Sequence, residues 1–159
     1  DYESAARLDE VKEFRAAMEW GFGPLLLDRI DRAALPGLKK MINVAAEHAY
    51  SEEELAQAEI NFHTALTAVC GNRLASLFAH LYPTIFHSYC GSETGKATTQ
   101  EERETWRQEH LPMIEALEQA DPSCFLELLR KHTHQYLRFR RAAKTAPASK
   151  SSSSKTGKA

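Results

Sequence analysis

The chain has 159 residues, with 20 Lys and Arg against 22 Asp and Glu and 43% apolar residues, the profile of one globular domain with a real core and little room for a second. No apolar run approaches the ~20 residues that a membrane span needs and nothing resembles a secretory signal, so a soluble, cytoplasmic protein with no membrane partner is expected. From Lys144 the last sixteen residues hold four Lys and no acid, which leaves residues 1–143 with 16 basic and 22 acidic side chains, a net charge of −6, and excludes strong binding of this body to nucleic-acid phosphates.

Helical spacing recurs along the chain and no segment alternates with period two, so the expected fold is all-α. A first helix over 5–28 is capped by Ser4, buries Leu8, Val11, Phe14, Ala17 and Met18 on one face, and is weakened or bent at Gly21 and Gly23. A second, over 33–49, is entered through Asp31 with Pro36 in its first turn, and points Leu38, Met41 and Ile42 inward. The third starts at the capping box Ser51-Glu52-Glu53-Glu54 and ends near Cys70-Gly71, with Gly71 in the left-handed position. Asn72 opens a fourth, with an inward stripe of Leu74, Leu77, Phe78, Leu81 and Ile85 and a kink at Pro83. Residues 90–99 read as a polar loop. A fifth helix over 100–119 carries Trp106, Leu111, Ile114 and Leu117, and Asp121-Pro122 launches a sixth to about 143. Residues 144–159 are too polar to repay ordering and are expected to be disordered.

Cys70, Cys90 and Cys124 are odd in number and widely spaced, which points to neither a disulfide framework nor a thiolate metal site. The histidines are more informative. The inward face of the third helix is Leu55, Glu59, Phe62, His63, Leu66 and Val69, which places a carboxylate and an imidazole four residues apart in the core. His110 heads the stripe of the fifth helix, and His132 sits among Phe125, Leu128, Leu129, Tyr136 and Phe139 of the sixth. A single histidine on an apolar face is usually a hydrogen-bonded core residue. Three of them with a carboxylate are costly to bury unless paired, and one divalent cation satisfies all four. Imidazoles plus a carboxylate suit zinc first, with nickel or manganese as other candidates, whereas calcium and magnesium prefer oxygen shells. His134, His80 and His87 are expected at the surface, and His48 beside a helix C-terminus.

The stretch Glu59-(x)2-Phe62-His63-(x)2-Leu66-(x)4-Gly71-Asn72 resembles the D-x-x-F-H-x-x-L-(x)4-G-N signature of the FadR C-terminal (FCD) domain, the effector-binding half of many GntR-type bacterial transcription regulators. His110-(x)3-Ile114-x-Ala116-Leu117-(x)3-Asp121 and Asp121-(x)7-Leu129-Arg130-x-His132 are similar to its two later blocks. Val11-(x)2-Phe14-Arg15-(x)2-Met18-Glu19 matches its opening block more loosely. The resemblance spans about residues 5–141.

The resemblance implies an antiparallel bundle of six to seven helices enclosing a cavity over residues 1–143. Its metal would be held by Glu59, His63, His110 and His132, with Glu59 where the family usually has Asp. It also implies a homodimer, a small carboxylate effector bound at open metal positions with Arg15 as a contact, and DNA reached only through an N-terminal winged helix. That domain is absent here, and a start at Asp1 without Met fits a fragment. The alternatives are a metal-dependent hydrolase-like enzyme, in which the same site activates water, and a metal-stabilised dimerisation module without a ligand. Against catalysis, the stripes offer no spare general base.

Overall fold

The computed structural model describes residues 2–89 and 96–145, with side chains over 10–81, 83 and 96–133. Six helices run in the order α1 (Tyr2–Arg29), α2 (Leu35–His48), α3 (Glu52–Ala68), α4 (Arg73–Tyr89), α5 (Gln100–Glu118) and α6 (Pro122–Thr145), with a short 3-10 turn at Arg32–Ala34 before α2. The described residues contain no β-strand, only an isolated bridge between Ser51 and Ala97. The fold is all-α. Connections of three or four residues make α2/α3, α3/α4 and α5/α6 antiparallel hairpins. Helix α1 lies against α6 and α4, and α2 against α5 and α3.

Local chemistry sets the helix ends. The Ser51 side chain accepts from the Glu54 backbone N–H at 3.2 Å while the Glu54 carboxylate accepts from the Ser51 N–H at 3.0 Å, a complete capping box at the start of α3. Gly71 turns the chain out of α3 at φ +64°. Asn72 Oδ1 accepts from Leu74 and Ala75, and Asp121 Oδ1 from Cys124, which start α4 and α6. Thr99 and Glu102 form a second capping box at the start of α5. The start of α5 is also fixed to the α2–α3 turn: Thr98 N–H donates to the Tyr50 carbonyl at 3.0 Å and Arg103 Nε to the Ala46 carbonyl at 3.0 Å. That clamp sets the height at which Trp106 and His110 face α3.

The core gathers Leu26, Leu38, Ile42, Phe62, Met113, Ile114, Phe125 and Leu129, with Phe62 and Phe125 wholly inaccessible. Three sequence expectations fail in α1 and α2. Helix α1 begins at Tyr2, so Ser4 lies inside it rather than capping it. Its buried face is Arg15, Ala16, Glu19, Gly23 and Leu26, while Phe14 and Ala17 are exposed. A buried guanidinium needs carboxylate partners, and its pairing with Glu59 of α3, not apolarity, fixes the rotation of α1. Met41 is also exposed on α2.

The fourth helix is turned furthest. Leu74, Leu77, Phe78 and Leu81 are 67, 60, 42 and 45% exposed, and the buried face is Ala75 and Ala79. Small residues let α3 and α4 approach closely enough for Thr64 Oγ1 to donate to the Ala79 carbonyl at 3.4 Å. The large apolar residues are left outside. Gly23 does the same for α1: a Cβ there would meet Leu129 Cδ2 at 2.9 Å, so this glycine admits α6. The placements of Leu8, Ile85, Cys90, His87, His134, Tyr136 and Phe139, and of residues 146–159 of the tail, lie outside what is described.

Candidate metal centre

Four helices converge on one buried point. Glu59 and His63 are one turn apart on α3, His110 comes from α5 and His132 from α6, and α1 adds Arg15 and Glu19, again one turn apart. His63, His110 and His132 are 2, 0 and 4% exposed. Their Nε2 atoms face one another, 3.3 Å from His63 to His110 and 3.0 Å from His63 to His132. Glu59 closes the group, with Oε2 2.8 Å from His110 Nε2 and Oε1 3.3 Å from His63 Nε2 and 3.7 Å from His132 Nε2.

The outward ring nitrogens explain why the Nε2 atoms point inward. His110 Nδ1 donates to the Trp106 carbonyl at 2.6 Å, which leaves Nε2 as the lone-pair nitrogen. His63 Nδ1 lies 3.1 Å from Glu19 Oε1, within ion-pair range although not aligned as a hydrogen bond. Lone pairs converging at about 3 Å repel one another unless positive charge lies between them. Around a tetrahedral ion with metal–nitrogen distances near 2.0–2.1 Å, neighbouring ligand nitrogens are about 3.3 Å apart. The spacing among these imidazoles therefore fits a zinc-sized cation, and the donor set, three nitrogens and a carboxylate, suits a transition metal rather than calcium or magnesium. The longer Glu59 side chain still reaches the centre, and its Oε2 also accepts from Trp106 Nε1 at 2.7 Å.

The surrounding charges keep both carboxylates of the centre ionised. Burial works to raise the pKa of Glu59, but Arg15, His63 and His110 outweigh it and hold the carboxyl well below the usual range. Glu19 behaves likewise: burial opposes ionisation, Arg15 and His63 overcome it, and the value falls to about 2. For His63, burial and Arg15 favour the neutral ring, yet Glu19 and Glu59 prevail and raise its pKa. Burial, with His63 next, drives His132 down to about 3.

Arg15 is in the interior, 4% exposed. Its Nη2 lies 2.5 Å from Glu59 Oε1 and 3.4 Å from His132 Nε2, and its Nε 2.5 Å from Glu19 Oε1. Glu19 and Trp106 contact the centre without having been assigned a role from the sequence. A carboxylate one turn after Arg15, on the same side of α1, is the signal that could have found Glu19. His48 and His80 are exposed. Cys70 is a buried free thiol and Cys124 an exposed one.

A cleft of about 230 Å³ on the α5–α6 side is lined by Gln108, Glu109, Leu128, Lys131 and, alone of the four clustered residues, His132. No helix among the described residues is long and apolar enough to cross a membrane. A family model described as the FCD domain matches residues 10–135. No curated protein matches the chain.

Proposed function

The chain belongs to the FCD domain family, whose members are effector-binding regulatory domains of GntR-type regulators, and on that footing we propose that it senses a small carboxylate at a divalent metal, zinc in the first place, held by Glu59, His63, His110 and His132. The observation that carries this reading is the convergence of three Nε2 atoms and one carboxylate at a buried point. A metal held there would do no chemistry of its own; with four protein ligands in place, it would take an effector oxygen by expanding its coordination beyond four.

This chain's own residues select and hold the ligand. A small acid would enter by the cleft at His132, which Lys131 and Gln108 border. Arg15, its guanidinium beside His132 and Glu59, adds a second cationic contact and favours an anion over its neutral amide. The domain works as a homodimer, with the exposed Leu74, Leu77, Phe78 and Leu81 stripe of α4 as the surface a second copy covers. DNA is contacted by an attached N-terminal winged helix in the cytoplasm, and effector binding shifts its disposition by favouring one packing of the bundle.

The test is metal analysis followed by thermal unfolding against a panel of small carboxylic acids and their amides. One equivalent of transition metal, with stabilisation by a carboxylate only in the loaded protein, supports the proposal. Turnover of a panel member would favour the hydrolase alternative instead. A loaded protein indifferent to the panel would favour the ligand-free module.

A further inference from the structure

The two carboxylates beside the histidines are used differently. Both oxygens of Glu59 are engaged, by Arg15 and His63 on one side and by His110 and Trp106 on the other. Glu19 is 5% exposed, its Oε1 meets Arg15 Nε and His63 Nδ1, and its Oε2 has no partner among the described residues. Burying an ionised carboxylate with half its acceptor capacity idle is costly. If Arg15 only needed neutralising, Glu59 already does it.

What Glu19 contributes is visible by comparison with His110. There a backbone carbonyl, that of Trp106, accepts from Nδ1 and turns Nε2 to the centre. The His63 ring instead directs Nδ1 out of α3 toward α1, where Glu19 is the acceptor within reach. We propose that Glu19 is a positioning residue of the metal centre: its carboxylate holds the His63 ring with the proton on Nδ1, so that Nε2 is presented to the ion. The inference rests on the cluster being a metal site. Such outer partners fix the tautomer and raise the basicity of the ligating nitrogen, and losing one typically costs about 10–100-fold in metal affinity.

The experiment is zinc titration of the full chain in competition with a chromogenic chelator, comparing wild type with Glu19→Gln, and Arg15→Met with the double variant Arg15→Met/Glu19→Gln. The expected result is one zinc per chain throughout and affinity about 10–100-fold weaker on adding Glu19→Gln in either background. Unchanged affinity overturns the inference and leaves the metal site standing. A deficit that vanishes in the Arg15→Met background also overturns it, because Glu19 would then act only by restraining a competing cation. Wild type that binds no zinc removes both this inference and the proposed function. Long-range 1H–15N spectra of zinc-loaded wild type need no variant to fold. A His63 proton on Nδ1 supports the role, and zinc on Nδ1 refutes it.

Discussion

Arg15 of α1 and Glu59 of α3 are joined at 2.5 Å in the interior of the bundle, 44 positions apart in the chain. The guanidinium thus engages the carboxylate assigned to the metal. A metal at the proposed site would share this acceptor with the guanidinium, and that competition makes Arg15 informative. Arg15→Met is expected to destabilise the metal-free protein by about 3–5 kcal/mol, because it leaves Glu19 and Glu59 buried without their cation. Zinc should recover part of that loss, while the response to a carboxylate effector disappears. Urea unfolding with and without zinc, then with effector, reads all three.

His63→Ala and His132→Ala each delete a nitrogen from the centre. Metal content after dialysis should fall from one per chain to near zero in both. Stabilisation by added zinc, about 2.7 kcal/mol for wild type at a hundred times the dissociation constant, should be lost. Full metal content in either variant would refute the ligand set.

Leu77→Asp and Phe78→Ser place polar groups on the exposed stripe of α4. Sedimentation should show the proposed homodimer reduced to single chains, with metal content unchanged because α4 supplies none of the four proposed ligands.

Two glycines of α1 give a matched pair. A Cβ at Gly21 meets nothing within 4 Å, so Gly21→Ala should stabilise by about 0.5–1 kcal/mol through helix propensity. At Gly23 the same atom lies 2.9 Å from Leu129 Cδ2, and crowding a packed interior costs about 1–3 kcal/mol. Gly23→Ala should therefore unfold at lower denaturant than Gly21→Ala, as paired urea curves will show.

Glu102 accepts from the Thr99 N–H at 2.7 Å and from its hydroxyl at 3.0 Å, and these bonds lower its carboxyl pKa. With the folded value depressed, the unfolded chain takes up the proton first. The cap's stabilisation is whole above the ordinary pKa of about 4.5 and is lost as pH falls through the lowered value. Glu102→Gln should flatten the dependence of thermal midpoint on pH below that point. Trp106 fluorescence, in a Trp20→Phe background, reports the start of α5.

The helix starts were legible in the sequence because capping is local: Ser51 with Glu54, Asn72, and Asp121 with Pro122 act within a few residues. The four candidate ligands were legible for a related reason, since Glu59, His63, His110 and His132 interrupt apolar stripes whose period is itself local. Phe14, Ala17 and Met41, and the apolar stripe of α4, were placed inward by the same rule and lie outward or at the edge. The rule assumes that the larger apolar face seeks this chain's own core.

The sequence by itself determined that the chain is helical, where most helices begin, and which polar side chains share its apolar faces. Tertiary structure decided the rotation of α1 and α4. Burial of Arg15 depends on Glu59 from another helix, with Glu19 beside it on α1, and close approach of α4 depends on Ala75 and Ala79 rather than on its large residues. Such pairings lie tens of residues apart in the chain, where periodicity carries no information, and only the packed bundle brings Glu19 to His63.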